Sequence, residues 1–277
     1  MCNVHDQVTE GTTQHRINEF YFLPDPHELI WTHYPDKPEW QLLKKPVTVQ
    51  AYQQHFYVRE RFHILRMYET QQSKIPCVLS TTDGEVDFEF GLPPDNSAHL
   101  RFKYMLYRSR TKSDSSIDTY LDRFVLFEHR EDLLRFALRF PIKGIFKMDI
   151  YGLDINDSDI FDLCCSYVIE CPQAKANCLP LPDCPPLGWG PVQKTKEAGL
   201  APVSHKKAQV VTKNGHVEIR LDKEKAMALH QQLKHAVLDD ATLSKYCLTK
   251  VEDKEVVVYL RLPQKGEFAV RLAELMR

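Results

Sequence analysis

Leu138-Arg139-Phe140-Pro141-Ile142-Lys143-Gly144-Ile145-Phe146 returns later in the chain as Leu260-Arg261-Leu262-Pro263-Gln264-Lys265-Gly266-Glu267-Phe268. A second landmark precedes each copy. Thr82-Asp83-Gly84 followed by Val86-Asp87-Phe88-Glu89-Phe90 is echoed by Lys213-Asn214-Gly215 followed by Val217-Glu218-Ile219-Arg220-Leu221. The landmark glycines stand 60 positions apart in the first copy and 51 in the second. Two landmarks in the same order at comparable spacing mark an internal duplication. Each copy then holds on the order of 100 residues, a usual size for a β-sandwich.

Strand patterns fill both copies, so the chain reads as all-β. Val86, Phe88 and Phe90 share one face, and the Asp-Gly turn predicts a hairpin with Ile75 to Ser80 as its other arm. The same turn chemistry predicts a hairpin of Gln209 to Val211 with Val217 to Leu221. His99 to Tyr107, Phe124 to Phe127, Leu134 to Phe140, Phe146 to Tyr151 and Phe161 to Cys171 follow as strands in the first copy, with a polar loop at Thr111 to Asp118. Ala226 to Ala236 is helical by composition, but the repeat predicts a strand there. Six prolines between Pro172 and Pro191 forbid a helix or a central strand, so 173–191 is a semi-rigid connector. Trp40 and Trp189 are expected to be buried, wedging their segments against the sandwiches. The second copy has no counterpart of Phe161 to Ile169. Its sandwich is therefore expected to lack the last strand, leaving an open edge near Val270 that favours strand addition by a partner or self-association.

The chain has 277 residues, 43% hydrophobic and 27% charged, with a formal net charge of −2. That suits two soluble compact units and gives no electrostatic argument for nucleic acid. No apolar run spans a bilayer, and the polar N-terminus lacks a secretory core, which places the protein in the cytoplasm. The eight cysteines then read as free thiols.

The constellations that carry chemistry all fall short. Cys2, His5 and Asp6 hold the residue types of a thiol triad, but five residues of a polar, disordered tail cannot fix its geometry. Cys164, Cys165, Cys171, Cys178 and Cys184 lack paired zinc-ligand spacing, and adjacent Cys164 and Cys165 point to opposite faces of a strand. They read as small buried hydrophobes. Asp154, Asp157, Asp159 and Asp162 lack the glycine and trailing glutamate of a calcium loop. No phosphate-binding loop, dinucleotide fingerprint or nucleophile elbow occurs. No catalytic, cofactor-binding or metal residue is assigned, and the chain is not expected to be an enzyme. A carbohydrate-binding sandwich is a weaker option that needs coplanar exposed aromatics.

Asn18 to Asp36, with Phe22-Leu23-Pro24-Asp25-Pro26, and Glu39-Trp40-Gln41-Leu42-Leu43 resemble the tail of the transglutaminase-like domain in the kyphoscoliosis peptidase and hillarin family. Gly188-Trp189-Gly190-Pro191 and Leu262 to Phe268 resemble the Ig-like modules that follow it there. The resemblance implies a remnant over 1–45, Ig-like sandwiches over 46–172 and 192–277, and a cytoskeletal or scaffold protein as partner. In that family the catalytic Cys, His and Asp precede the Phe-Leu-x-Asp-Pro stretch, and none of them matches here. A non-catalytic, cytoskeleton-associated interaction protein is the leading expectation. The alternative is a fragment of a transglutaminase-like cysteine peptidase whose catalytic part lies upstream.

Overall fold

A computed structural model gives the fold and describes all residues except 1–3, 10–11, 18, 71–77, 82, 95–96, 109–119, 183–187, 226–227 and 275–277. At the N-terminus β1 (Val4–Thr9) pairs antiparallel with β2 (Thr12–Ile17). The disordered tail expected there is thus a hairpin, rich in the β-branched Val and Thr that favour extended backbone.

In the first sandwich, β3 (Tyr57–Val58) and β4 (Tyr68–Glu69) flank a short helix, Glu60–Ile64. β5 (Val78–Ser80), β6 (Glu85–Gly91), β7 (Leu100–Arg108), β8 (Val125–Arg130), β9 (Leu133–Arg139), β10 (Gly144–Asp154) and β11 (Asp162–Cys171) follow. One sheet runs β4-β6-β9-β8, and the other β3-β11-β10-β7 with β5 added parallel to β11. Alternation puts Leu134, Phe136 and Leu138 of β9 inward against Phe146, Met148 and Ile150 of β10, all at most 1% exposed. Aromatic rings knit the two sheets: Phe136 stacks on Phe127 at 4.9 Å and on Phe88 at 5.5 Å, and Phe88 meets Tyr167 of β11 at 5.2 Å. Such pairs add to the burial of large apolar area.

The second sandwich comprises β12 (Leu200–Pro202), β13 (His216–Lys223), β14 (Leu229–His235), β15 (Cys247–Val251), β16 (Glu255–Arg261) and β17 (Phe268–Glu274). Its sheets run β12-β13-β16-β15 and β14-β17. The strand expected from the repeat within 226–236 is β14. Its pairing with β17 overrides a helix-favouring composition. Leu221, Leu233, Val256, Val258 and Leu260 form the core, and none of its buried members among the described residues is aromatic.

The duplication is visible atom by atom. Gly84 and Gly215 take φ of 76° and 74°, and Gly144 and Gly266 both take 151°. Phe140 N–H donates to Gly84 O at 2.9 Å, as Leu262 N–H does to Gly215 O at 2.7 Å. Asp83 and Asn214 each accept from the N–H two residues on, at 3.2 and 3.1 Å, the Asx turn that starts β6 and β13.

Both predicted hairpins are overturned. β6 pairs with β4 and β9, whereas β5 crosses to the opposite sheet and pairs with β11. Gln209 to Val211 form no strand, and β13 pairs with β12 and β16. Alternation fixes which face a strand buries but not which strand it pairs with. The predicted loop at Thr111 to Asp118 lies outside the described residues.

The proline-dense stretch is bonded along the first sandwich. Lys175 N–H donates to Phe140 O, Leu181 N–H to Arg123 O and Trp189 N–H to Phe127 O, at 2.9, 2.7 and 2.7 Å. Gly84 has no side chain to block the passing backbone, since a Cβ there would stand 2.3 Å from Lys175 N. Arg139 and Glu267 form an ion pair between the two repeats.

Candidate protein-interaction surfaces

The described thiols are held in their protonated form. Cys164 and Cys165 are fully buried, and burial raises both well above the ordinary thiol range. Burial pushes Cys247 up to about 11 and raises Cys171 and Cys178 as well. The thiolate is the nucleophile and the metal ligand, so none of these groups is poised for either role. Cys164 and Cys165 do occupy opposite faces of β11. Both are buried because the helix Glu60–Ile64 and Leu65 cover the face that a two-sheet sandwich would leave open. Cys2 and Cys184 lie outside the described residues, and His5 and Asp6 belong to β1.

Asp154, Asp157, Asp159 and Asp162 span the β10–β11 turn. Asp154 accepts from Asn156 N–H at 2.9 Å, and Asp157 meets the buried Arg61 at 3.3 Å. No group of three His, Cys, Asp or Glu able to hold a metal ion occurs among the described residues.

Residues 19–47 are anchored to the first sandwich at several points. Phe20 stacks on His63 at 5.7 Å, Trp31 stacks on His55 at 3.9 Å, and Tyr21 Oη donates to Glu60 at 3.1 Å. Burial, then Glu60, pushes Tyr21 up to about 12. The buried Gln41 amide grips Val47, donating to its carbonyl at 2.9 Å and accepting from its N–H at 2.7 Å.

On this fixed segment, Phe22, Leu23, Trp40 and Leu42 are 67%, 86%, 61% and 78% exposed. The expected burial of Trp40 is therefore wrong. Its ring lies in solvent with Lys37 Nζ 5.0 Å from its centroid, while Trp189 is half-buried beside Phe127. Leu23 and Leu42 also carry φ of 54° and 56°. A bulky residue in the left-handed region is strained, and such strain gathers at contact sites. No sequence signal marks these leucines, because neither sits in a Gly- or Asn-bearing turn.

A second surface lies at β17. Phe268, Val270 and Leu272 are only partly buried, whereas their counterparts Phe146, Met148 and Ile150 are 0% exposed. In the first sandwich β11 covers the far edge of β10 and is itself flanked by β3 and β5. Among the described residues, only β14 pairs with β17.

Comparisons with known proteins agree with this architecture. A family model for the KY-like, immunoglobulin-like domain matches residues 49–182 and 196–273. Hillarin of Drosophila melanogaster is 25% identical over 266 residues, covering 93% of this chain and 32% of hillarin. The Lim and transglutaminase domain protein ltd-1 of Caenorhabditis elegans is 23% identical, covering 96% of this chain and 38% of that protein. Human kyphoscoliosis peptidase is 22% identical, covering 92% and 36%. The chain spans about a third of the length of these curated relatives. Among the described residues no helix is long and apolar enough to cross a membrane.

Proposed function

The chain belongs to the KY-like, immunoglobulin-like domain family, and from that premise we propose that it is a non-catalytic interaction unit, one that attaches to a cytoskeletal or scaffold protein. One observation carries the reading: Leu23 and Leu42 are strained, almost fully exposed and held on an anchored segment. Neither side chain buries much of its surface in this fold. A binding partner that buries them would offset the strain of their backbone. The buried, protonated thiols support the non-catalytic half of the reading.

The test is co-sedimentation of the purified chain with separately assembled actin filaments, microtubules and intermediate filaments. Binding to one of them, weakened by Leu23→Asn with Leu42→Asn, is the expected result. No sedimentation with any of the three, or sedimentation that ignores both substitutions, overturns it. So does peptidase or transamidase activity of this chain.

A second reading uses the same exposed residues. Two relatives are named as a peptidase and a transglutaminase domain protein. Phe22, Leu23, Trp40 and Leu42 would then meet a catalytic portion of a longer protein. Under that reading the double variant leaves filament binding unchanged.

A further inference from the structure

We propose that the edge of β17 opposite β14, which no strand among the described residues pairs, is a strand-acceptor site, and that its occupant is an antiparallel peptide segment of a partner protein with apolar residues at alternate positions and an acidic residue opposite Arg271. None of residues 19–47 takes part in this site.

The first repeat supplies the template. There β11 lies antiparallel on β10, with Ile169 opposite Phe146, Tyr167 opposite Met148 and Cys165 opposite Ile150. All six side chains are at most 1% exposed. The landmark glycines align Phe146 with Phe268, Met148 with Val270 and Ile150 with Leu272. These three positions of β17 point at the second core but stay partly exposed. An added strand would close that core and satisfy the unpaired backbone groups of the edge, as β11 does for β10.

Charge decides the intervening position. Asp149 of β10 faces Ser166 of β11, whose hydroxyl donates to it. The corresponding residue of β17 is Arg271, which is exposed and has no ion-pair partner among the described residues. A cross-strand carboxylate at the place of Ser166 would pair with this guanidinium, and a cation there would repel it. A second copy of β17 presents Arg271 and two alanines on its outer face, with no carboxylate of the second strand fixed opposite the arginine. Read from its N-terminus, the occupant carries an apolar residue, an acidic residue, an apolar residue, any residue and an apolar residue.

The experiment uses the whole chain and a synthetic peptide. The peptide has the sequence of residues 162–171 with Cys164→Thr, Cys165→Val, Cys171→Thr and Ser166→Glu, plus a lysine tail for solubility. A control carries Ser166→Lys instead. Hydrogen exchange should show saturable protection of residues 268–274 by the first peptide, with about tenfold weaker binding of the control. Arg271→Glu should reverse that preference, and since Arg271 is exposed the variant should fold. The proposal is overturned by any of four results: no protection at 268–274; protection at β10 instead; binding indifferent to the charge swap; or protection of β17 that rises with protein concentration alone, which would make a second copy the occupant.

Discussion

Gly266 reproduces the backbone of Gly144: each takes φ of 151° two residues before a phenylalanine, Phe268 or Phe146, and each lies against the last residue of a partner strand, His235 of β14 or Arg108 of β7. A Cβ on Gly144 would stand 3.2 Å from Arg108 Nε, and one on Gly266 would stand 3.1 Å from His235 Nε2. Few L-residues adopt this φ, so Gly144→Ala and Gly266→Ala should each destabilise their own sandwich by about 2 kcal/mol. Chemical denaturation read separately for the two sandwiches checks it. Equal stability of the wild type and either variant would show that the φ is relaxed at no cost.

Leu23 and Leu42 should behave in the opposite way. Asn tolerates the left-handed region better than Leu, and neither leucine buries much surface in this chain. Leu23→Asn and Leu42→Asn should therefore raise stability by about 0.5–1 kcal/mol each. Thermal melts of the isolated chain report it. A loss of stability would mean that the side chains pack within the chain after all, which would remove the ground for a binding role.

The parts of the fold legible in sequence were those encoded by local chemistry that occurs twice. Gly144 and Gly266 could be matched because a Pro-x-Lys-Gly stretch surrounds both, and that match together with the Gly84 and Gly215 turns identified β14 against its helical composition. Strand partners were not readable. The Asp-Gly turn starts β6 correctly, yet β5 crosses to β11 because nothing in an alternating pattern names a neighbour. Trp40 was misplaced because aromatic size argues for burial in general and carries no record of what covers a surface. The strain at Leu23 and Leu42 was invisible for a related reason: no glycine or asparagine stands at either position to announce a left-handed backbone.

Histidine burial makes stability depend on pH. Burial, with a smaller contribution from Arg101, lowers His129 from 6.5 to about 4, and burial with His55 lowers His63 to about 4. The unfolded chain therefore binds protons between pH 6.5 and pH 4 that the folded chain refuses. The contribution of these two histidines to stability is fully present above about pH 6.5 and is lost as pH drops toward 4. His129, in edge contact with Phe102 at 5.4 Å, should account for up to about 3 kcal/mol of that fall. Denaturation midpoints at pH 7.5 and pH 5 measure the effect, and His129→Gln should flatten it. A midpoint unchanged between the two pH values would contradict the buried, neutral imidazole.

The two sandwiches should also open at different denaturant concentrations, and their cysteines can report it. The first core stacks Phe88, Phe127, Phe136 and Tyr167, while the second has no aromatic among its buried described residues and leaves Phe268, Val270 and Leu272 half covered. Fully burying one large apolar side chain contributes about 1.5–3 kcal/mol, so the second sandwich should be the weaker. Cys247 lies in the second core, and Cys164 and Cys165 lie in the first. All three thiols are protonated and covered in the folded chain, so alkylation at pH 8 requires opening. As urea rises, mass spectrometry should find Cys247 modified first and Cys164 with Cys165 together at higher concentration. Binding of the acidic strand peptide should shift only the Cys247 transition upward, because it completes only the second core. Simultaneous labelling of all three cysteines would instead mean that the contacts between the repeats, including the Arg139–Glu267 ion pair and the strapped connector, join the two sandwiches into one cooperative unit.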